Sequence, residues 1–167
     1  LIFCILVMRI NKKSNYLIIG KCLFFPYDGL LVVGDMHIGY DKMLGNEGGV
    51  MFPMDQVKEV IAEFRRLFKA VVDRDLCVKK VVLLGDIKHY FGYKKQEKYD
   101  LLKVINFLKR KVGVKNVVLV RGNHDKIDFG LEVRDYYIDS DIGVGFIHGN
   151  KIYEEIIKEK EVKIVVM

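Results

Sequence analysis

A chain of 167 residues, 51% apolar and 30% charged, is long enough for one globular domain with its own core, and this composition excludes intrinsic disorder. The net charge of +6 permits a phosphate-bearing partner without demanding one, and Lys94, Lys95, Lys98, Lys103, Lys109 and Lys111 read as a solvated helix face. Cys4, Cys22 and Cys77 are odd in number and lack any Cys-x-x-Cys pattern, which excludes a disulfide framework and a zinc knuckle and fits a reducing, cytoplasmic setting.

Leu1 to Met8 is apolar but far shorter than the roughly 20 residues of a membrane span. It also lacks the flanks of a signal peptide, so no membrane association is expected, and Met8 is read as the natural start with residues 1–7 upstream of it. YLII and CLFF, over Tyr16 to Phe25, form two β-rich runs separated by Gly20 and Lys21, a hairpin pattern, and Pro26, Asp28 and Gly29 supply the next turn. Leu30 to Val33 then predict a buried strand, after which Gly34 breaks the chain and Asp35 and His37 emerge. Alternate residues leaving a strand point the same way, so these two are expected to aim at one point.

Residues 45–53 are too glycine-rich for a regular element and read as a loop. A helix is predicted from about Met54 to Val72, because Val57, Val60, Ile61, Phe64, Leu67, Phe68 and Val71 recur at the 3.6-residue period. Val81 to Leu84 repeat the pattern of strand, glycine and aspartate, placing Asp86 just past a strand end and His89 three residues on. A second helix over about Gln96 to Val112 buries Leu101, Leu102, Ile105, Leu108 and Val112, and Gly113 suits its end.

Asn116 to Val120 read as another buried strand, with Asn123, His124 and Asp125 on the loop past its carboxyl end, where open α/β sheets place their ligands. Tyr136 to Ile138 and Ile142 to Ile147 are strand-like, the latter leading to His148. Ile152 to Glu161 suggest a short helix and Val162 to Met167 a last strand. The order βαβαβ followed by strands fits an α/β layered architecture with parallel strands.

All four histidines of the chain lie within five residues after an apolar strand, which random placement would rarely produce. Carboxylates, imidazoles and an amide oxygen converging on one sheet edge suit a divalent cation such as Mn2+, Fe2+ or Zn2+, and the lack of thiolates argues against a structural zinc site.

On the motifs GDMH, GDIKH, RGNHD and FIHG, spread over about residues 30 to 150, the chain resembles the calcineurin-like metallophosphoesterases. Within them it most resembles the archaeal group related to the SbcD exonuclease subunit and to phosphoesterases associated with DNA ligases and helicases. The resemblance implies a four-layer αββα fold, a β-sandwich flanked by helices, in a single domain over 1–167. It implies two divalent metal ions at one edge, Mn2+ foremost, with Fe2+, Zn2+ or Ni2+ as alternatives. Asp35 and His37 would hold the first metal, Asn123 and His148 the second, and Asp86 would bridge both, because two cations about 4 Å apart need a shared carboxylate. His124 would protonate the leaving oxygen or stabilise the transition state, with Asp125 orienting it.

His89 stands where nuclease-like members carry histidine, and Tyr90 and Phe91 after it count against a protein phosphatase. Arg121 is read as either a phosphate contact or a structural residue. The implied activity is phosphodiester hydrolysis, in nucleic acid or nucleotides, by a metal-bridging hydroxide; a catalytically inactive binding module and a phosphomonoesterase remain the alternatives. The family closes its site with a Gly-His-x-His motif after a strand like VKIVVM, where this chain stops at Met167. A C-terminally truncated chain with weakened metal binding and low or absent activity is therefore expected.

Overall fold

The computed structural model describes residues 7–9, 16–38, 56–87, 95–123, 125, 131–149, 151–159, 162 and 164–166. β1 (Val7–Arg9) belongs to the second sheet; in the first, β2 (Leu17–Ile19) and β3 (Cys22–Phe25) form an antiparallel hairpin in which Ile19 faces Cys22 across Gly20 and Lys21, as the sequence pattern predicts. β4 (Leu30–Gly34) pairs antiparallel with β3, then parallel with β5 (Lys80–Leu84), which in turn pairs parallel with β6 (Val117–Val120). The parallel strands are joined by α1 (Gln56–Val72) and α2 (Lys95–Val112). The second sheet holds β1 (Val7–Arg9), β7 (Tyr136–Asp139), β8 (Val144–Ile147) and β9 (Ile164–Val166), in the order β1-β9-β8-β7.

Apart from Lys80 at the start of β5, the central strands are apolar because both of their faces are covered. Leu31 and Val33 of β4, Val81 and Leu83 of β5 and Leu119 of β6 face α1 and α2, where Val57, Val60, Phe64, Leu67, Val71, Ile105 and Leu108 close over them. Leu30, Val32, Val82, Leu84, Val118 and Val120 point the other way and meet Val144, Phe146 and Val166 of the second sheet. A short helix, α3 (Glu154–Lys158), covers the outer face of that sheet, packing Ile156 on Ile147, Val162 and Val165. The layers are thus helix, sheet, sheet, helix, the four-layer order that the family resemblance implies. Each fully buried side chain of this size contributes about 1.5–3 kcal/mol.

Several boundaries shift from the sequence expectation. Asn116 lies in a 3-10 turn (Val114–Asn116) ahead of β6, where its amide donates to the carbonyl of Val112, so the strand starts one residue later. Ile142 lies in a turn before β8, and α3 covers only the middle of the predicted 152–161 span. On α2 the buried face carries Val104 and Phe107, whereas Leu102 and Val112 are only partly covered, because the helix also packs against α1. Cys22 is buried and Cys77 exposed, both as free thiols, and burial followed by the charge of Glu63 pushes the Cys22 thiol up to about 12. No helix among the described residues is long and apolar enough to cross a membrane.

Candidate metal centre

β4, β5 and β6 run parallel and end together, with Gly34 beside Leu84 and Leu84 beside Val120. Past these ends the backbone turns abruptly. Asp35 (φ 50°), His37 (φ 44°) and Asp86 (φ 44°) all occupy the left-handed region, at a cost on the order of 1 kcal/mol each for residues with a Cβ. The turns are held because the two loops pair again beyond the strands: His37 N donates to Asp86 O and Ile38 N to Ile87 O, each at 2.9 Å. Three strained residues at one sheet edge, kept in place by hydrogen bonds on both sides, mark a site where side-chain direction matters more than backbone ease.

The side chains converge. Oxygens of Asp35 and Asp86 and a ring nitrogen of His148 all lie within 4.8 Å of one another. His148 Nδ1 is 4.0 Å from Asp35 Oδ1, and Nε2 is 3.6 Å from Asp86 Oδ2. The same Nε2 lies 3.0 Å from Asn123 Oδ1, within hydrogen-bond distance. Asp35, Asp86 and Asn123 follow β4, β5 and β6 of the first sheet, whereas His148 follows β8 of the second, so the cluster spans the open edge of the sandwich. Two carboxylates at this separation repel by about 3 kcal/mol at an effective dielectric near 20. Such a group, with an imidazole and an amide oxygen beside it, is a donor set that a divalent cation satisfies.

Two glycines make this approach possible. A Cβ on Gly85 would run into the ring of His148, and one on Gly122 would run into the backbone nitrogen and Oδ1 of Asp86. The glycines of the GD and RGN motifs are therefore packing requirements of the cluster as well as chain breakers.

Asp125 is buried, and its Oδ2 accepts hydrogen bonds from Gly122 N (3.0 Å) and Ile87 N (3.3 Å). Arg121 donates from Nη1 to the Asp125 carbonyl (3.1 Å) and from Nε to Asp135 Oδ1 (3.0 Å), which gives it structural work at the strand end. Gln56, buried at the start of α1, donates from Nε2 to the carbonyl of His37 (3.2 Å). Nothing in the sequence singles out Gln56, because a long-range amide-to-carbonyl bond leaves no local pattern to read.

Of the residues singled out from the sequence, the structure brings Asp35, Asp86, Asn123 and His148 together and sets Asp125 directly behind them. His37 is half-buried beside the cluster, and its ring is not among the three mutually close donors. Strand alternation is not what orients Asp35 and His37: the strand ends at Gly34, both residues have positive φ, and the alternation of an extended chain no longer applies. His89 and His124, read as catalytic, lie outside the described residues.

The profile of the family described as "Calcineurin-like phosphoesterase" matches residues 30–166. No curated protein matches the chain. Among solved structures, the chain is similar to the "Crystal structure of Pseudomonas putida nuclease MPE", with 25% identity and a TM-score of 0.43 over 68% of this chain and 50% of that one. The chain thus spans about half the length of that nuclease.

Proposed function

The chain belongs to the calcineurin-like phosphoesterase family, and from that premise we propose that it hydrolyses phosphodiester bonds, in nucleic acid or nucleotides, with divalent cations held at the sheet edge. The observation that carries this reading is the set of Asp35, Asp86 and His148 donors within 4.8 Å of one another, reached from strands of both sheets. The donor chemistry fits the group: two carboxylates, an imidazole and the nearby Asn123 amide oxygen suit Mn2+, Fe2+, Zn2+ or Ni2+, and the family resemblance puts Mn2+ foremost.

When bound, a divalent cation supplies positive charge toward phosphoryl oxygens and acidifies water at the site. Our finer reading has two cations, with Asp35 and His37 holding one, Asn123 and His148 the other, and Asp86 shared between them. His124 is assigned as proton donor to the leaving oxygen, with His89 alongside, on the strength of the RGNHD and GDIKH motifs. Kinship with the SbcD-related group rests on the same motifs. The net charge of +6 suits a polyanionic substrate, whose binding would be sensitive to salt.

The test is an assay of the full-length protein, stripped with EDTA and reloaded with Mn2+, against bis-p-nitrophenyl phosphate, p-nitrophenyl phosphate and single-stranded DNA. Turnover of the diester and of DNA, lost on stripping and restored by Mn2+, is the expected result. Preference for p-nitrophenyl phosphate would move the reading to a phosphomonoesterase. Failure of all three would leave an inactive binding module.

A further inference from the structure

A carboxylate that merely shaped the RGNHD turn would need a partner inside that turn. Asp125 has one there, Gly122 N, but the same Oδ2 atom also accepts from Ile87 N, 38 residues away on the loop after β5. Ile87 directly follows Asp86, and Gly122 directly precedes Asn123, so one buried oxygen links the residue next to each of two cluster members. Gly122 is also pressed against Asp86 so closely that no Cβ fits between them. Behind the carboxylate, Asp125 N donates to Gly122 O (3.2 Å), and the Asp125 carbonyl accepts from Arg121, which is itself paired with Asp135 just ahead of β7.

We infer that Asp125 is a positioning residue for Asp86 and Asn123, its carboxylate oxygen fastening the β5 loop to the β6 loop through the Ile87 and Gly122 amides. A buried carboxylate oxygen that accepts from two backbone N–H groups on different loops fixes each loop against the other. The separation of the Asp86 carboxylate from the Asn123 amide oxygen then follows from the position of one atom bonded to the backbone next to each. This is a different task from orienting His124, since it acts on the backbone beneath the cluster. Its consequence for metal affinity rests on the metal-centre reading given above, whereas the fastening itself does not.

The two roles part on which property of Asp125 matters. Asp125→Asn keeps an acceptor oxygen in the same place, whereas Asp125→Ala removes it. In the metal-free chain, hydrogen exchange at the Ile87 and Gly122 amides is expected to quicken by about tenfold or more in Asp125→Ala and to stay near wild type in Asp125→Asn. Mn2+ affinity, followed by the paramagnetic resonance signal of the free ion, is expected to fall by about 10- to 100-fold in the alanine variant and by less than about threefold in the asparagine variant.

Unchanged protection of both amides in Asp125→Ala overturns the inference, and so does an asparagine variant as damaged as the alanine one. Should Asp125→Ala not fold, Asp125→Asn decides alone: retained protection and affinity support the fastening, and their loss overturns it. If the wild-type chain takes up no Mn2+, the metal reading falls, and exchange at the two amides still decides what Asp125 does.

Discussion

The two ends of β5 carry ionic clusters of opposite design. At its start, Lys80 reaches from the first sheet to the second, 2.5 Å from Asp139 Oδ2 and 3.1 Å from the Tyr137 hydroxyl, which itself donates to Asp139 at 3.0 Å. At its far end, Asp86 faces Asp35 with His148 and Asn123 beside them. Both clusters join the sheets across the sandwich edge. The first pairs a cation with a carboxylate and is explained by the fold; the second brings two carboxylates together beside an imidazole, an arrangement that folding alone does not reward. Carboxylates gathered on strained backbone are therefore the better pointer to chemistry in this molecule.

The contrast breaks hardest at the balanced end. Lys80→Ala would leave Asp139, only 5% exposed, without its cation and is expected to cost about 3 kcal/mol in urea unfolding. A double change to Lys80→Met with Asp139→Leu should recover most of that loss; no recovery would show that the pair itself is not what matters. Burial pulls the Lys80 ammonium down, but its hydrogen bonds to Asp139 and Tyr137 prevail and leave its pKa above the ordinary value. The stability it contributes is therefore complete below the usual lysine range and disappears as pH climbs through the raised value.

At the other end, Gly122→Ala would place a methyl on the backbone of Asp86, and an expected cost of about 2 kcal/mol should come with loss of the thermal shift that Mn2+ produces. A variant that keeps that shift would show that Asp86 can move aside without harm to the site. The smallest effect is the most telling, because its sign reverses. Asp86→Asn relieves the repulsion with Asp35 and should raise the metal-free melting temperature by about 3 °C while abolishing stabilisation by Mn2+. Destabilisation of the metal-free chain would mean that Asp86 is held by the fold as firmly as Asp139 is.

Much of the architecture was legible in the sequence. Runs such as LLVV and VVLL are apolar at every position because both faces of their strands are covered, and that continuity identifies them from composition alone. Three aspartate- or asparagine-bearing loops after such runs, with a fourth loop bearing His148, were equally readable. The second sheet was less so: β7 to β9 are short, and β1 pairs with β9 across almost the whole chain.

What the sequence determined by itself, then, is which residues stand at the carboxyl ends of the strands, since hydrophobic periodicity places strand ends along the chain. Only the tertiary structure decided how those residues meet. The left-handed turns at Asp35, His37 and Asp86, the room left by Gly85 and Gly122, the bond from Gln56 to His37 and the reach of Asp125 to Ile87 all join residues remote in sequence. Such contacts are set by the packing of two sheets against each other, and no local pattern encodes the distance between two loops that only the folded core brings side by side.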